Sequence, residues 1–344
     1  RDRGERDVTA FYLKIWLEDE LSFLGTCPWE EDLEVARAVC ELAGVPLEVI
    51  SLQREYYDRV VSYTIAELQA GRTPSPDIFC NQRVKFGAFF DAVGSDFDRV
   101  VSGHYAQVRE TGGNYQLLRG VDPVKDQSYF LSHLNHDQIS RLEFPIGSLP
   151  KSKVREIAES AKLPNAARRD SQGICFLGKL KFDDFVRAHL GDRPGQIVDA
   201  ETGKTLGGHR GYWFHTIGQR RGLGLSGGPW FVAGKDTDRN VVFVRHGERL
   251  ERNVVSDYEV SELHWIGGHA AETRELTVKL RHGPKLTPAT VEFVSEDRLR
   301  VKLAEGDAGV APGQFTVFYE GEVCLGAGKI CADPSGPEGS LSSD

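Results

Sequence analysis

The chain has 344 residues, 40% of them hydrophobic and 27% charged, which fits a folded protein of two or three domains rather than a coiled coil or a disordered chain. Its net charge of −9 argues against a general polyanion binder, and no run approaches the roughly 18 uninterrupted apolar residues of a membrane span. Six cysteines, at 27, 40, 80, 175, 324 and 331, are too few for a disulfide-built scaffold, and no CxxC pair hints at zinc. A reducing compartment is expected. Charge is unevenly spread: residues 1–60 carry 7 basic and 14 acidic side chains, residues 151–221 carry 14 and 8. A basic stretch in an acidic protein is either a nucleic-acid footprint or simply a solvated face.

The first residues, RDRGERDVTAFYLKIW, lack an initiator methionine and match neither a secretory signal nor a transit peptide, so the start reads as that of a fragment or processed form. VTAFYLKIW (8–16) suits a buried strand. WEEDLEVARAVCELAGV (29–45) has helical spacing with Gly44 as its cap, PLEVISL (46–52) is a second strand, and residues 56–71 form another amphipathic helix. After the turn-rich RTPSPD, helical periodicity returns at Gln82 and runs to Gly94. DRVVSGHYA (98–106) reads as a strand ending at a glycine, and KSKVREIAESAKL (151–163) as a helix. Strands alternating with helices predict a parallel α/β sheet, whose ligands sit beyond the carboxyl ends of strands, where Gly103 and His104 fall. Beyond about residue 190, glycines and short alternating runs such as TVEFV and RLRVKL predict small β domains. The last residues, 333–344, read as a disordered tail.

Two cysteines draw attention. Cys80, three residues after Asp77 and just before the predicted helix, is placed where a helix N-terminus favours a thiolate, and the carboxylate could move a proton. Cys175 follows two arginines and a glycine in RRDSQGICFLG. Either thiol could equally be a packed core cysteine, the commoner fate. If both react, one would hold a sulfur that the other resolves, which requires α-carbons within about 7 Å when a disulfide forms. KDQSYF (125–130) is a polar patch beside aromatics, suited to a surface turn or to phosphate and base contacts. GQRRGLGL (218–225) is a glycine loop but not a dinucleotide fingerprint.

GRTPSPDIFCNQRVKFGAF, SGHYA, LLRGVDPVKDQSYFLSHL, FPIGSLPKSKVREIA, DSQGICFLG, FHTIGQRRGLGL and APGQFTVFYEGEVCLGAGKI stand in the order and spacing of the tRNA-specific 2-thiouridylases, which the chain resembles from about residue 8 to 331. The resemblance implies an ATP-pyrophosphatase-like α/β domain lacking its first strand (1–180), a central tRNA-binding domain (181–256) and a C-terminal β-barrel (257–332). It implies that ATP, with Mg²⁺, adenylates the C2 oxygen of a wobble uridine and that a cysteine persulfide delivers sulfur to that carbon. Cys175 matches the persulfide carrier, Cys80 its attacking partner, and Asp77 the general acid/base in the base-holding motif with Ser75 and Pro76. Leu13, in place of the usual methionine, and Gly103 match adenine-nucleotide contacts. His104, Lys125, Asp126, Gln127, Arg281, His282 and Gln314 match tRNA contacts. Implied partners are tRNA and a desulfurase or sulfur-relay protein, with no membrane and a monomeric state; the early segment resembles the plant and algal branch, implying an organelle, the plastid first, with the mitochondrion or a bacterial cytoplasm as alternatives.

The pattern breaks at three places. No SGGxDS phosphate loop occurs, so truncation of an active enzyme is expected, and with it weak ATP binding and no thiolation by this chain alone. Ser75 replaces an asparagine, and His282 a tyrosine, where an imidazole can still stack. The competing expectations are a non-catalytic RNA-binding remnant, another ligase of the same fold group, and a thiol redox protein.

Overall fold

A computed structural model describes residues 7–15, 29–94, 96–168, 181–248, 254–270 and 273–331. In the first part, β1 (Ala10–Lys14) and β2 (Leu47–Ser51) pair in parallel, with α1 (Trp29–Ala43) between them in the chain. Glu30, Glu31 and Asp32 occupy the first turn of α1, where free amides favour carboxylates. The chain leaves α1 through Gly44 at φ +60°, a left-handed cap that a side chain would strain.

Two interrupted helices follow. The first, α2 (residues 53–69), widens at Tyr57–Val61, and the second, α3 (residues 76–93), widens over Cys80–Ala88. Tyr56, Val60, Val61, Ile78 and Val84 on these helices are fully buried. The helix expected to start near Gln82 begins at Pro76, because proline at the first helical position has its φ preset and no N–H to lose. Cys80 therefore lies one turn inside α3 rather than ahead of it.

Only Val100–Val101 of the next expected strand, β3, pairs, in parallel with β6 (Leu142–Glu143). Between them the sequence reading missed a hairpin, β4 (Ala106–Thr111) and β5 (Asn114–Arg119), turned by Gly112 and Gly113 at positive φ. The helices α4 (His136–Ser140), α5 (Lys151–Ser160) and α6 (Phe182–Leu190) complete this α/β part. Among the described residues, no helix is long and apolar enough to cross a membrane.

The central part is a four-stranded sheet in the order β8 (Thr205–His209), β7 (Gly195–Asp199), β10 (Val241–His246), β9 (Trp230–Asp236). It is tied to the end of α2 by Lys235, whose buried ammonium donates to the Gly71 carbonyl at 2.9 Å. The last part closes into a barrel: β11 (Val255–Trp265), β14 (Arg298–Asp307), β13 (Thr287–Ser295), β12 (Glu275–Lys279), β15 (Phe315–Glu320) and β16 (Val323–Ile330), with β16 returning to β11. Alternation sets its core, as Leu299, Val301 and Leu303 point inward while Arg298, Arg300 and Lys302 stay exposed. The missed hairpin joins this barrel, with β5 pairing to β16 at Leu117–Cys324 and Leu118–Val323. One core cluster runs from the helices through the central sheet to Phe315, Val317 and Tyr319 of the barrel, so the three parts pack as a continuous body.

Candidate active site

A cavity of about 280 Å³ opens where the three parts meet. Its first wall is the turn into α3, Thr73 to Ile78, and its second is the 3₁₀ turn carrying Tyr129 and Phe130. Phe182 opens α6 beside it, Thr216 comes from the central part, and Arg281, His282 and Gln314 come from barrel loops. Ser75, Pro76, Asp77, Arg281, His282 and Gln314, far apart in the chain and expected at the site, thus share one cavity.

Each wall is held from behind. The buried Glu67 carboxylate accepts two bonds from Arg72 at 2.7 Å, the Thr73 amide donates to the Pro312 carbonyl at 2.9 Å, and the Ser75 amide donates to the Tyr63 hydroxyl at 3.3 Å. Asp77 follows in the first turn of α3, half-buried. Phe130 stacks on His282 with ring centres 4.8 Å apart and 19° between planes. Burial, helped by the Lys279 charge, pushes the His282 pKa down, so this ring is neutral at pH 7 and offers a flat face. Arg281 is fixed by a two-pronged pair with Asp307 at 3.0 and 3.1 Å. Burial opposes the Asp307 charge, but the Gly309 amide and Arg281 outweigh it and hold that carboxyl below its usual range.

The remaining expected residues lie elsewhere. Asp126 and Lys279 form an ion pair at 2.6 Å with both side chains 0% exposed. Burial resists the Asp126 charge, but Lys279 and the Gly120 amide overcome it, keeping the carboxyl below its usual range. The Asp126 side chain is thus enclosed, its oxygens committed to Lys279 and to the Gly120 and Ser128 amides. His104 is likewise interior: it lies between Phe86 and Phe144, its Nδ1 is 2.8 Å from the Ser102 hydroxyl, and burial lowers its pKa to about 3. Gln127 exchanges bonds with the Tyr105 backbone at 2.9 and 3.0 Å, while Lys125 stands half-buried in the turn that Asp122 organises. Leu13 lies half-buried on β1, and Gly103, exposed just past β3, has open space where a side chain would stand.

Cys80 is 0% exposed, one turn beyond the cavity-lining Asp77 and Ile78, and Cys175 falls outside the described residues. Sequence reasoning missed Phe182, Thr216 and Lys279, and took in Tyr129 and Phe130 only as the aromatics of the KDQSYF patch. The aromatics directly after KDQ were the available signal; Lys279 carries none, because a buried lysine on an alternating strand looks like any outward one.

Three family models match in succession: the tRNA methyl transferase HUP domain over residues 1–179, the tRNA methyl transferase PRC-barrel domain over 183–246, and the aminomethyltransferase beta-barrel domain over 255–330. The chain is 48% identical over 332 residues to the tRNA-specific 2-thiouridylase MnmA of Parabacteroides distasonis, covering 94% of this chain and 92% of the relative. It is 45% identical over 328 residues to MnmA 1 of Bacteroides thetaiotaomicron (94% and 92%) and 46% over 330 residues to MnmA of Porphyromonas gingivalis (93% and 91%). With the same three-part order in its fold and with relatives of this identity over nearly its whole length, the chain belongs to the tRNA-specific 2-thiouridylase family.

Proposed function

We propose that the protein is an ATP-dependent tRNA-uridine 2-sulfurtransferase whose three-walled cavity receives the target uridine. The observation that carries this reading is the convergence of Ser75, Asp77, Arg281, His282 and Gln314 on one cavity next to Cys80. A base leaves its stack at a cost of a few kcal/mol, and the flat His282–Phe130 pair and the polar Ser75 and Gln314 offer what it loses. Arg281 brings positive charge to the same wall.

Adenylation by ATP, taken with Mg²⁺, turns the uridine C2 oxygen into a leaving group. Gly103 and Leu13 are the adenine contacts in this reading, an open backbone position past β3 and an apolar side chain on β1. Sulfur arrives from a desulfurase or relay protein as the terminal sulfur of a Cys175 persulfide, the protein acting as a monomer. The Cys80 thiolate attacks the inner sulfur of Cys175, forming a disulfide and expelling the terminal sulfur as sulfide. Sulfide bonds to C2 and AMP leaves, with Asp77 moving the proton. An external dithiol then supplies two electrons to restore both thiols. An organellar, plastid setting rests on the early segment alone.

The test is 2-thiouridine formation, read by mass spectrometry, with an SGGxDS-containing segment joined to the N-terminus and with ATP, Mg²⁺, a persulfide donor and unmodified tRNA. Product that vanishes in Cys80→Ser and in Cys175→Ser supports the reading. Retained product in either variant refutes the two-cysteine step, and tRNA binding with no product under any sulfur source returns the protein to a binding role.

A further inference from the structure

We propose that the glycine loop of the central part, residues 216–230, is a second nucleotide subsite, holding the RNA strand beside the target uridine with one base against Trp230 and phosphates against Arg220 and Arg221. The inference rests on the reading that the first cavity takes a uridine. Its basis is a separate cavity of about 310 Å³, lined by Arg220, Leu223, Leu225, Pro229 and Trp230 with glycine backbone between them.

The shape and chemistry fit one nucleotide. Leu223 is buried and forms an apolar floor. The half-buried Trp230 ring is held in place: its Nε1 donates to the Ser226 carbonyl at 3.0 Å and His246 meets it edge-on at 5.1 Å. Gly222 and Gly224, at φ +80° and +65°, keep the rim free of side chains and let a backbone approach. Arg220 and Arg221 are exposed, and among the described residues neither has an ion-pair partner. A slot with an indole wall, an apolar floor at Leu223 and the exposed Arg220 guanidinium at its edge, with Arg221 next in the chain, matches a base with its phosphate.

Continuity with the first cavity favours RNA as the occupant. Thr216 lines the first cavity and Arg220 the second, and four residues span at most about 14 Å. The loop between them is anchored: the Gln219 side chain accepts from the Thr216 amide at 2.9 Å, and the Gly218 amide donates to the Val232 carbonyl at 2.9 Å. A strand that delivers one base to the first cavity passes the second within a few nucleotides.

The experiment is fluorescence-anisotropy binding of an anticodon stem–loop RNA to the whole protein across a salt series. Absence of binding by the unsubstituted protein would overturn the uridine reading itself. Given binding, Arg220→Ala with Arg221→Ala should lower the salt slope by up to about two and weaken affinity. Trp230→Ala should weaken binding about 5- to 150-fold, with Trp230→Phe restoring most of it. Abasic substitution of one loop nucleotide other than the target should weaken binding to the unsubstituted protein but not further weaken it to Trp230→Ala. Unchanged affinity and salt slope in the arginine variant, or abasic effects additive with Trp230→Ala at every position, would overturn the subsite. The exposed arginines keep the test decisive even where Trp230→Ala does not fold.

Discussion

At the scale of single residues, Asp77 and Asp126 show how two carboxylates of one fold take opposite duties. Asp77 faces the cavity at a helix start, whereas Asp126 is sealed against Lys279. Asp77→Asn should lower single-turnover thiolation about 10²- to 10⁴-fold and leave RNA affinity unchanged, the pattern of a lost proton carrier. An effect on affinity alone would make Asp77 a binding group. Lys279→Met should cost about 3–5 kcal/mol in urea unfolding, because it strands a buried carboxylate, with Arg119 at 3.6 Å as the nearest substitute. Replacing Asp126 by asparagine in that variant should recover most of the loss, since it removes the buried charge and keeps an oxygen for the Gly120 and Ser128 amides. Asp77 was legible from its place before a helix and a cysteine. The interior position of Asp126 was not, since KDQ reads as a solvated run until the barrel supplies Lys279.

At the scale of elements, Glu67 near the end of α2 joins both sides of the cavity. It holds Arg72 at the head of the Ser75–Asp77 turn and accepts from Lys329 of β16 at 3.0 Å, and the Ile330 amide beside Lys329 donates to the Gln314 carbonyl at 2.8 Å. Gly313 packs so closely against Arg72 and Thr73 that a Cβ there would come within 2.7 Å of Arg72. Glu67→Gln should therefore raise KM for tRNA more than it lowers kcat, since it loosens the relation between turn and barrel while leaving Asp77 and Cys80 in place. A fall in melting temperature with unchanged KM would reduce Glu67 to a fold stabiliser. The strands of the barrel were legible from period-two alternation. The β4–β5 hairpin has its Gly112–Gly113 turn as its local sign, and α3 begins earlier than expected because Ser-Pro-Asp reads as a turn and as a helix start alike.

At the scale of the whole molecule, buried neutral histidines set the acid limit. Burial lowers the pKa of His104 and His133 to about 3 and of His215 to about 4. The unfolded chain binds those protons near pH 6.5, so their stabilisation is complete above that pH and is lost as pH falls from 6.5 toward 4 for His215 and toward 3 for His104 and His133. Each contributes a slope of up to about 1.4 kcal/mol per pH unit. Unfolding free energy should drop steeply across that window, and His215→Gln should remove about one histidine's share of the slope. A flat profile from pH 7 to 5 would contradict the burial.

The cavity itself exists only at this scale, because Ser75 and Gln314 lie on different parts of the molecule and meet through packing that no local pattern encodes. Their pairing entered through family resemblance, while Phe182 and Thr216, which complete the walls, carried no local sign. The most direct measurement is photocrosslinking of a tRNA carrying 4-thiouridine at the wobble position, with the attached residue found by mass spectrometry. The account predicts attachment to residues 75–78, Phe130, His282 or Gln314. Attachment confined to surfaces outside that cavity would contradict it.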